Sequence, residues 1–391
     1  MQPFQNNKTY LFHRVAESLR LLYDMHWPYR QYESARGVRT SPLHGRLEAL
    51  GACFGEVAGW ERPNWYAPEG VEPRYEYSYK RQNWFDFSAA EHRAVREAVG
   101  LFDQTSFAKF LVQGRDAEAV LQRICANDVA VPVDRVVYTQ WLNDKGGIEA
   151  DLTVVRLAEA AFMVVTGAAV AVHDHDWLMR HIPDDANVTV TDVTSGYAVI
   201  GVMGPNSRAL LSRVTGADLA NDSFPFGVSK EIELGYARVR ATRISYVGEL
   251  GWELYVPTEY ALGVFDTIVT KGDEFGLRPV GMHAMDSLRI EKAYRHWGHD
   301  ISCEETPIEA GLAFACRLDK NVPFIGRDAL LAQKENGVRR RLVQFLLEDP
   351  EPLVYHNEPI LRDGERVGYL TSGNYGHWLG GAVGLGYVNN P

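Results

Sequence analysis

Cysteine is scarce in this sequence. Only Cys53, Cys125, Cys303 and Cys316 occur, far apart and without a C-x-x-C pair. That spacing suits a reducing compartment and offers no zinc or iron–sulfur signature. Long apolar runs are missing too. The longest, residues 160–172, is broken by Thr166 and Gly167 and falls short of the roughly 20 residues that span a bilayer. The opening MQPFQNNKTYLFHRVAE has no hydrophobic signal core. Positive charge is not in excess: the net charge is −11, which excludes a general nucleic-acid or anionic-membrane surface, since neutralising phosphates needs a basic patch. A local basic pocket for an acidic small molecule remains compatible with it. The familiar glycine and nucleophile signatures are also lacking. There is no G-x-G-x-x-G after a strand, no Walker loop, no G-x-S-x-G elbow and no H-E-x-x-H. Gly381, Gly384 and Gly386 lie in a β-like tail with no helix after them and read as strand packing. The expectation is a soluble cytoplasmic protein without nucleic-acid or membrane partners.

What is present is a globular composition, 46% hydrophobic and 23% charged over 391 residues, long enough for two or three domains. Phe12, Val15, Ala16, Leu19, Leu22 and Tyr23 recur at helical spacing, so residues 10–25 read as an amphipathic helix. Residues 27–87 are dense in rings without periodicity, which predicts an extended segment packed on another surface, inside or outside this chain. From residue 88 strands and helices mix without strict alternation, which favours an α+β fold over a doubly wound sheet. Asn336-Gly337 and the basic triplet Arg339-Arg340-Arg341 read as a linker to a purely β tail.

Four stretches could carry chemistry. In GGIEADLTVV, after Asn143-Asp144-Lys145, the turn residues predict a hairpin over 136–155. Ile148, Ala150, Leu152 and Val154 then share one face, Glu149, Asp151 and Thr153 the other. His173-Asp174-His175-Asp176 invites a metal reading, but on a helix the two histidines point nearly opposite ways. A solvated helix start fits better, and no metal is expected. In SYVGELGWELYVP, Glu253 faces away from Trp252 and Leu254. Its carboxylate could accept two adjacent N–H donors in a fork, as on the amino-pyrimidinone edge of a pterin, or be an edge-strand acid in water. HAMDSLRIEKAYRHWGHDI alone reads as a salt-bridged helix surface.

Together with TPIEAGLAFACRLDK, FIGRDALL and GYLTSGNYG…GAVGLGYV, the first, third and fourth of these stretches occur in an order that resembles the aminomethyltransferase (glycine-cleavage T-protein) superfamily, from about Asp86 onward. VTGAAVAVHDHDWL, EKAYRHWGHDI and the N-terminal segment are similar to the folate-binding half of dimethylglycine and sarcosine dehydrogenases. The resemblance implies a three-domain cloverleaf with an N-terminal helical and extended linker. It divides the chain into residues 1–85 as that linker, 86–334 as a folate-binding region of two interleaved domains, and 335–391 as a C-terminal β-barrel that stops early. It implies tetrahydrofolate as cofactor, FAD only on a partner or missing half, and a subunit or fragment of a larger amine dehydrogenase. The implied function captures the iminium or formaldehyde carbon of a small N-methyl amine as 5,10-methylene-tetrahydrofolate. A folate-dependent O- or S-demethylase and a non-catalytic structural subunit are the alternatives. By resemblance Asp151 is the catalytic residue, Glu253 reads the pterin, and Tyr246, Tyr138 and Arg289 contribute to cofactor binding. Met285 stands where cleavage proteins have Arg, and Gly167 where they have Asn, departures that fit the amine-dehydrogenase branch.

Overall fold

A computed structural model describes residues 3–390. Met1, Gln2 and Pro391, the outermost residues of the expected linker and barrel, lie outside the described residues. The chain divides into two units built from interleaved stretches. Met1–Ser106, Ser195–Pro225 and Glu231–Asp286 make the first, and Phe107–Thr194, Phe226–Lys230 and Ser287–Pro391 the second.

The chain begins in the first unit with α1 (Lys8–Leu21), α2 (His44–Ala49), the antiparallel pair β1 (Ala52–Val57) and β2 (Trp60–Tyr66), α3 (Phe85–Glu97) and β3 (Val99–Asp103). The ring-rich segment packs inside the chain, and part of it, β1 and β2, is regular. Its hairpin closes a core of Cys53, Trp65, Ala67 and Trp84, with Tyr29, Tyr75, Tyr77 and Phe87 packed against it. An irregularity in the β1–β2 register breaks the alternation that would have marked the hairpin in the sequence.

Helix α1 corrects the amphipathic expectation. Asn7 caps it by accepting from the Thr9 and Tyr10 amides, but its apolar side is the one in solvent. Phe12, Val15, Leu19, Leu22 and Tyr23 are exposed, whereas Arg14 is buried. Arg14 pairs with Glu56 at 2.6 Å and lies over the Tyr32 ring at 4.0 Å.

In the second unit come β4 (Ala108–Gln113), α4 (Ala117–Ile124), β5 (Val136–Leu142), β6 (Ile148–Ala158), β7 (Ala161–Thr166), α5 (Ala171–Arg180) and β8 (Thr189–Asp192). The strands form an antiparallel sheet in the order β5-β6-β7-β4-β8. As the alternation requires, Ile148, Ala150, Leu152 and Val154 are all buried. The last three join Phe110, Trp141, Phe162, Val164 and Leu178 in the sheet's core.

The turn before β6 needs its glycines. Gly146 sits at φ +83°, a left-handed conformation that suits glycine. At Gly147 a Cβ would meet the Cys303 carbonyl oxygen at 1.9 Å, because the next amide, Ile148 N–H, is shared between the Ser302 and Glu305 carbonyls. We predict that Gly147→Ala lowers stability by about 1–3 kcal/mol through backbone overpacking. An unchanged midpoint of denaturant unfolding would refute it.

The chain continues with β9 (Tyr197–Met203), α6 (Ser207–Leu211), β10 (Ser229–Leu234), β11 (Ala237–Thr242), β12 (Gly251–Pro257), α7 (Ala261–Gly272) and β13 (Leu277–Pro279). With β3 these strands give the first unit a sheet ordered β10-β11-β12-β9-β3-β13. Helix α8 (Met282–Glu291) leads into the rest of the second unit, where α9 (Arg327–Asn336) precedes β14 (Arg340–Leu346), β15 (Pro359–Arg362), β16 (Glu365–Gly376) and β17 (Gly381–Asn389). Those four strands pair as β14-β17-β16-β15. Mixed, mainly antiparallel sheets with helices make this the expected α+β class.

The basic triplet corrects the linker reading in part. Gly337, at φ +78°, does stop α9, but Arg340 and Arg341 already belong to β14. Arg340 pairs with Glu305 at 3.1 Å and Glu309 at 3.3 Å. Charge there builds a strand's contacts. Among the described residues no helix is long and apolar enough to cross a membrane.

Candidate functional site

Asp151 owes its surroundings to the β5–β6 register, which sets it opposite Gln140. Gln140 Nε2 donates to Asp151 Oδ1 at 2.8 Å, and the Tyr138 side chain, two residues along β5, also hydrogen-bonds the carboxyl. Burial pushes the Asp151 pKa up to about 6; Gln140, Tyr138 and Arg295 oppose that, and Asp174 adds to it. A carboxyl placed there changes protonation state close to neutral pH, as acid–base work requires. The β6–β7 pairing reaches only Thr153, opposite Val165, so Asp151 has a strand partner on its β5 side alone. Just past the end of β7, a Cβ at Gly167 would find only Val170 Cγ2, at 3.5 Å.

A neighbour of Asp151 corrects one expectation. Asp174 is not part of a solvated helix start: it is fully buried and accepts from Thr166 Oγ1 at 2.5 Å. Its partner His173 contacts Asp174 Oδ1 through Nδ1 at 2.9 Å and Glu149 Oε2 through Nε2 at 3.3 Å. Its pKa is raised, chiefly by the Asp174 hydrogen bond, and its ring packs against those of Trp177 and Trp297. His175 instead meets Phe110, so the two histidines do diverge. Among the described residues no group of His, Cys, Asp or Glu is arranged to hold a metal ion.

Glu149 shares the face of Asp151 but not its setting. The register passes from Trp141↔Ala150 to Leu142↔Ile148, which leaves Glu149 as the extra residue of a bulge. There it accepts from Asn143 Nδ2 at 2.9 Å and helps hold the turn.

In the first unit, β12 runs between β11 and β9 and is no edge strand, which corrects one reading of Glu253. The half-buried carboxylate accepts from the Tyr255 hydroxyl at 2.8 Å and from Gln104 Nε2 at 3.3 Å. Gln104 Oε1 is buried without a hydrogen-bond partner. Opposite Glu253 stands Gly201, where a Cβ would meet Gln104 Oε1 at 2.5 Å; the glycine makes room for that amide. Tyr246 is half-buried in the segment between β11 and β12.

Arg289 is buried in the second unit. Its Nη1 donates to Asp300 Oδ2 at 2.6 Å and to the Tyr294 carbonyl at 3.0 Å, and its Nη2 to Ser372 Oγ at 3.0 Å. Asp300 also accepts from Thr371 Oγ1 at 2.6 Å and from the His296 amide at 3.0 Å. Asp151, Tyr138 and Arg289 thus belong to the second unit and Glu253 and Tyr246 to the first. Two supports were not anticipated from the sequence, Gln140 and Gln104. Gln140 was within reach once the hairpin register was written out; Gln104, far from Glu253 in the chain, had no such signal.

The family model of the GCVT N-terminal domain matches residues 43–320, that of the glycine cleavage T-protein C-terminal barrel domain residues 340–391, and that of the FAD dependent oxidoreductase central domain residues 1–41. The chain is 46% identical over 381 residues to 4-methylaminobutanoate oxidase (formaldehyde-forming) of Paenarthrobacter nicotinovorans, covering 97% of this chain and 46% of that protein. It is 36% identical over 416 residues to human mitochondrial sarcosine dehydrogenase, covering 97% and 45%. It therefore spans about half the length of these curated relatives. Among solved structures, the glycine cleavage system aminomethyltransferase T from Bartonella henselae superposes with a TM-score of 0.76 at 29% identity, covering 90% of each chain.

Proposed function

This chain belongs to the glycine cleavage T-protein family, and on that premise we propose that it binds tetrahydrofolate and delivers to it a one-carbon unit at the formaldehyde level, released from a small N-methyl amino acid by a flavin-binding oxidoreductase partner. The observation that carries the reading is Asp151: a carboxyl held by Gln140 and Tyr138 on the β5 side, unpaired with β7, with a pKa moved to about 6.

The residues fit the group. A pterin edge presents N–H donors, and Glu253 presents a carboxylate whose supporting amide, Gln104, has a buried oxygen still without a partner. When bound, tetrahydrofolate supplies the nucleophilic nitrogens that accept the carbon. Asp151 stabilises the positive charge of an incoming iminium and takes up a proton at its carboxylate as the transfer completes. Gln140 and Tyr138 orient that carboxylate. Arg289, its donors engaged by Asp300, Tyr294 and Ser372, is assigned a supporting role and no contact with the cofactor.

The oxidoreductase partner is supported by α1. Its outward apolar row, Phe12, Val15, Leu19, Leu22 and Tyr23, lies within the residues that match an FAD dependent oxidoreductase central domain. The substrate class follows the relative named for 4-methylaminobutanoate. Titration of the chain with tetrahydrofolate, followed by tryptophan fluorescence, should give saturable binding, and formaldehyde plus the complex should yield 5,10-methylene-tetrahydrofolate faster than solution does. No saturable binding by the chain or by its complex would overturn the reading in favour of a structural subunit.

A further inference from the structure

The stretch SYVGELGWELYVP carries two acids, Glu249 and Glu253, and the structure gives them different work. Strands β11 and β12 pair only as far as Thr242 and Glu253. Residues 243–250 therefore run outside any strand, with Tyr246 among them. A connection of that kind is where a sheet moves most unless something ties it down.

Its ties act at different places. At the far end, the Leu250 carbonyl accepts from the Gly204 amide at 2.7 Å and from Ser207 Oγ at 3.2 Å. Those bonds fix the entry into β12. The middle is held by Arg96, in the last turn of α3. Its Nη1 donates to the Val247 carbonyl at 2.7 Å and to Glu249 Oε1 at 2.9 Å. The Arg96 side chain is 4% exposed and that of Glu249 22%, so water and salt screen this pair less than a surface bridge. Between the two gripped residues Gly248 sits at φ +70°, a turn that lets both reach one guanidinium nitrogen. On the other side, Ser245 Oγ accepts from the Val247 amide at 3.2 Å, and the Val247 side chain is buried. Tyr246 thus stands directly beside the clamped residue.

We propose that Arg96 is a positioning residue for ligand binding: it clamps the Tyr246–Leu250 turn before a ligand arrives, with Glu249 as its counter-charge, and so leaves Glu253 to the ligand. A turn held in advance need not be ordered at the moment of binding, which is where preorganisation gains affinity. The anchoring of Leu250 to Gly204 and Ser207 does not pass through Arg96, so the strand entry survives its loss and only the turn loosens. The proposal takes its ligand from the folate reading above; the clamp itself does not depend on that reading.

The test follows hydrogen exchange of peptides spanning residues 245–250 by mass spectrometry in the ligand-free chain, Arg96→Met, Arg96→Lys and Glu249→Gln. Each protein is then titrated with tetrahydrofolate and assayed for one-carbon transfer. In Arg96→Met, exchange of the turn should speed up about 10- to 100-fold, the worth of a hydrogen bond to a charged group, while β9 and β12 keep their protection. Arg96→Lys, which keeps the charge, should fall between, and Glu249→Gln, which spares the Val247 contact, should be milder. Tetrahydrofolate affinity should weaken about 10-fold in Arg96→Met as the fraction of chain with the turn in place falls. The rate at saturating tetrahydrofolate should fall far less, a split that general loss of structure would not produce. Unchanged exchange in Arg96→Met overturns the clamp, as does protection lost throughout β9 and β12, which would make Arg96 a residue of the fold alone. A looser turn with unchanged tetrahydrofolate affinity overturns its part in binding. If the parent binds no tetrahydrofolate while the turn still loosens in Arg96→Met, the folate reading fails and the clamp stands.

Discussion

Asp151→Asn is expected to lower folate-dependent transfer of the one-carbon unit by about 10²- to 10⁴-fold, the range that a positioned general base contributes. Asn can still accept from Gln140 Nε2, which donates to Oδ1 at 2.8 Å, so the hairpin keeps its geometry and loses only the titrating oxygen. The parent's rate should fall on the acid side with a midpoint near 6, where the Asp151 carboxyl becomes protonated, and this limb should vanish in the variant. The groups that set that midpoint are Tyr138, Gln140, Arg295 and Asp174.

Stability moves the other way, and its sign follows from the same shift. The folded carboxyl holds its proton up to about 6, whereas an unfolded Asp releases it near 3.9. Ionisation therefore costs stability progressively as pH rises through that window, and the cost is complete above it. The variant should melt with the parent at pH 4 and above it at pH 7.5. An active Asp151→Asn with an unchanged acid limb would remove Asp151 from the chemistry.

Arg289→Met should cost about 3–5 kcal/mol of stability, because it strands Asp300, a fully buried carboxylate, without its counter-ion. The pair ties α8 to the C-terminal sheet through Ser372 and Thr371, with the Tyr387 hydroxyl bonded to the Asp300 carbonyl at 2.9 Å. Removing both charges in Arg289→Met/Asp300→Leu should recover part of the loss, since matched apolar groups tolerate burial. The measurement is denaturant unfolding of the three proteins. If Arg289 instead touched folate, the single variant would unfold like the parent and only its affinity would drop.

Much of the second unit's sheet was legible because its signals are local. Asn143 to Gly147 close a turn, β6 alternates cleanly, and together they set the register that pairs Asp151 with Gln140. Other positions were silent for reasons that can be named. Asp174 and Asp176 look alike in the sequence, yet Asp174 is sealed against Thr166 and His173 while Asp176 pairs with Arg180 on the helix surface. The triplet around Arg340 resembled a linker because its counter-charges, Glu305 and Glu309, come from a distant segment.

Periodicity, then, determined which residues share a face: the apolar row of β6 against Glu149, Asp151 and Thr153, and the row of α1 from Phe12 to Leu22. What covers each face was decided only by tertiary structure. The polar face of β6, which a local pattern assigns to water, carries a carboxyl whose pKa burial raises. The apolar face of α1, which the same rule assigns to the core, lies in solvent while Arg14 is buried. The physical reason is the same in both: a strand or helix specifies the direction of its side chains through its own backbone, but their solvation depends on segments that arrive from elsewhere in the chain.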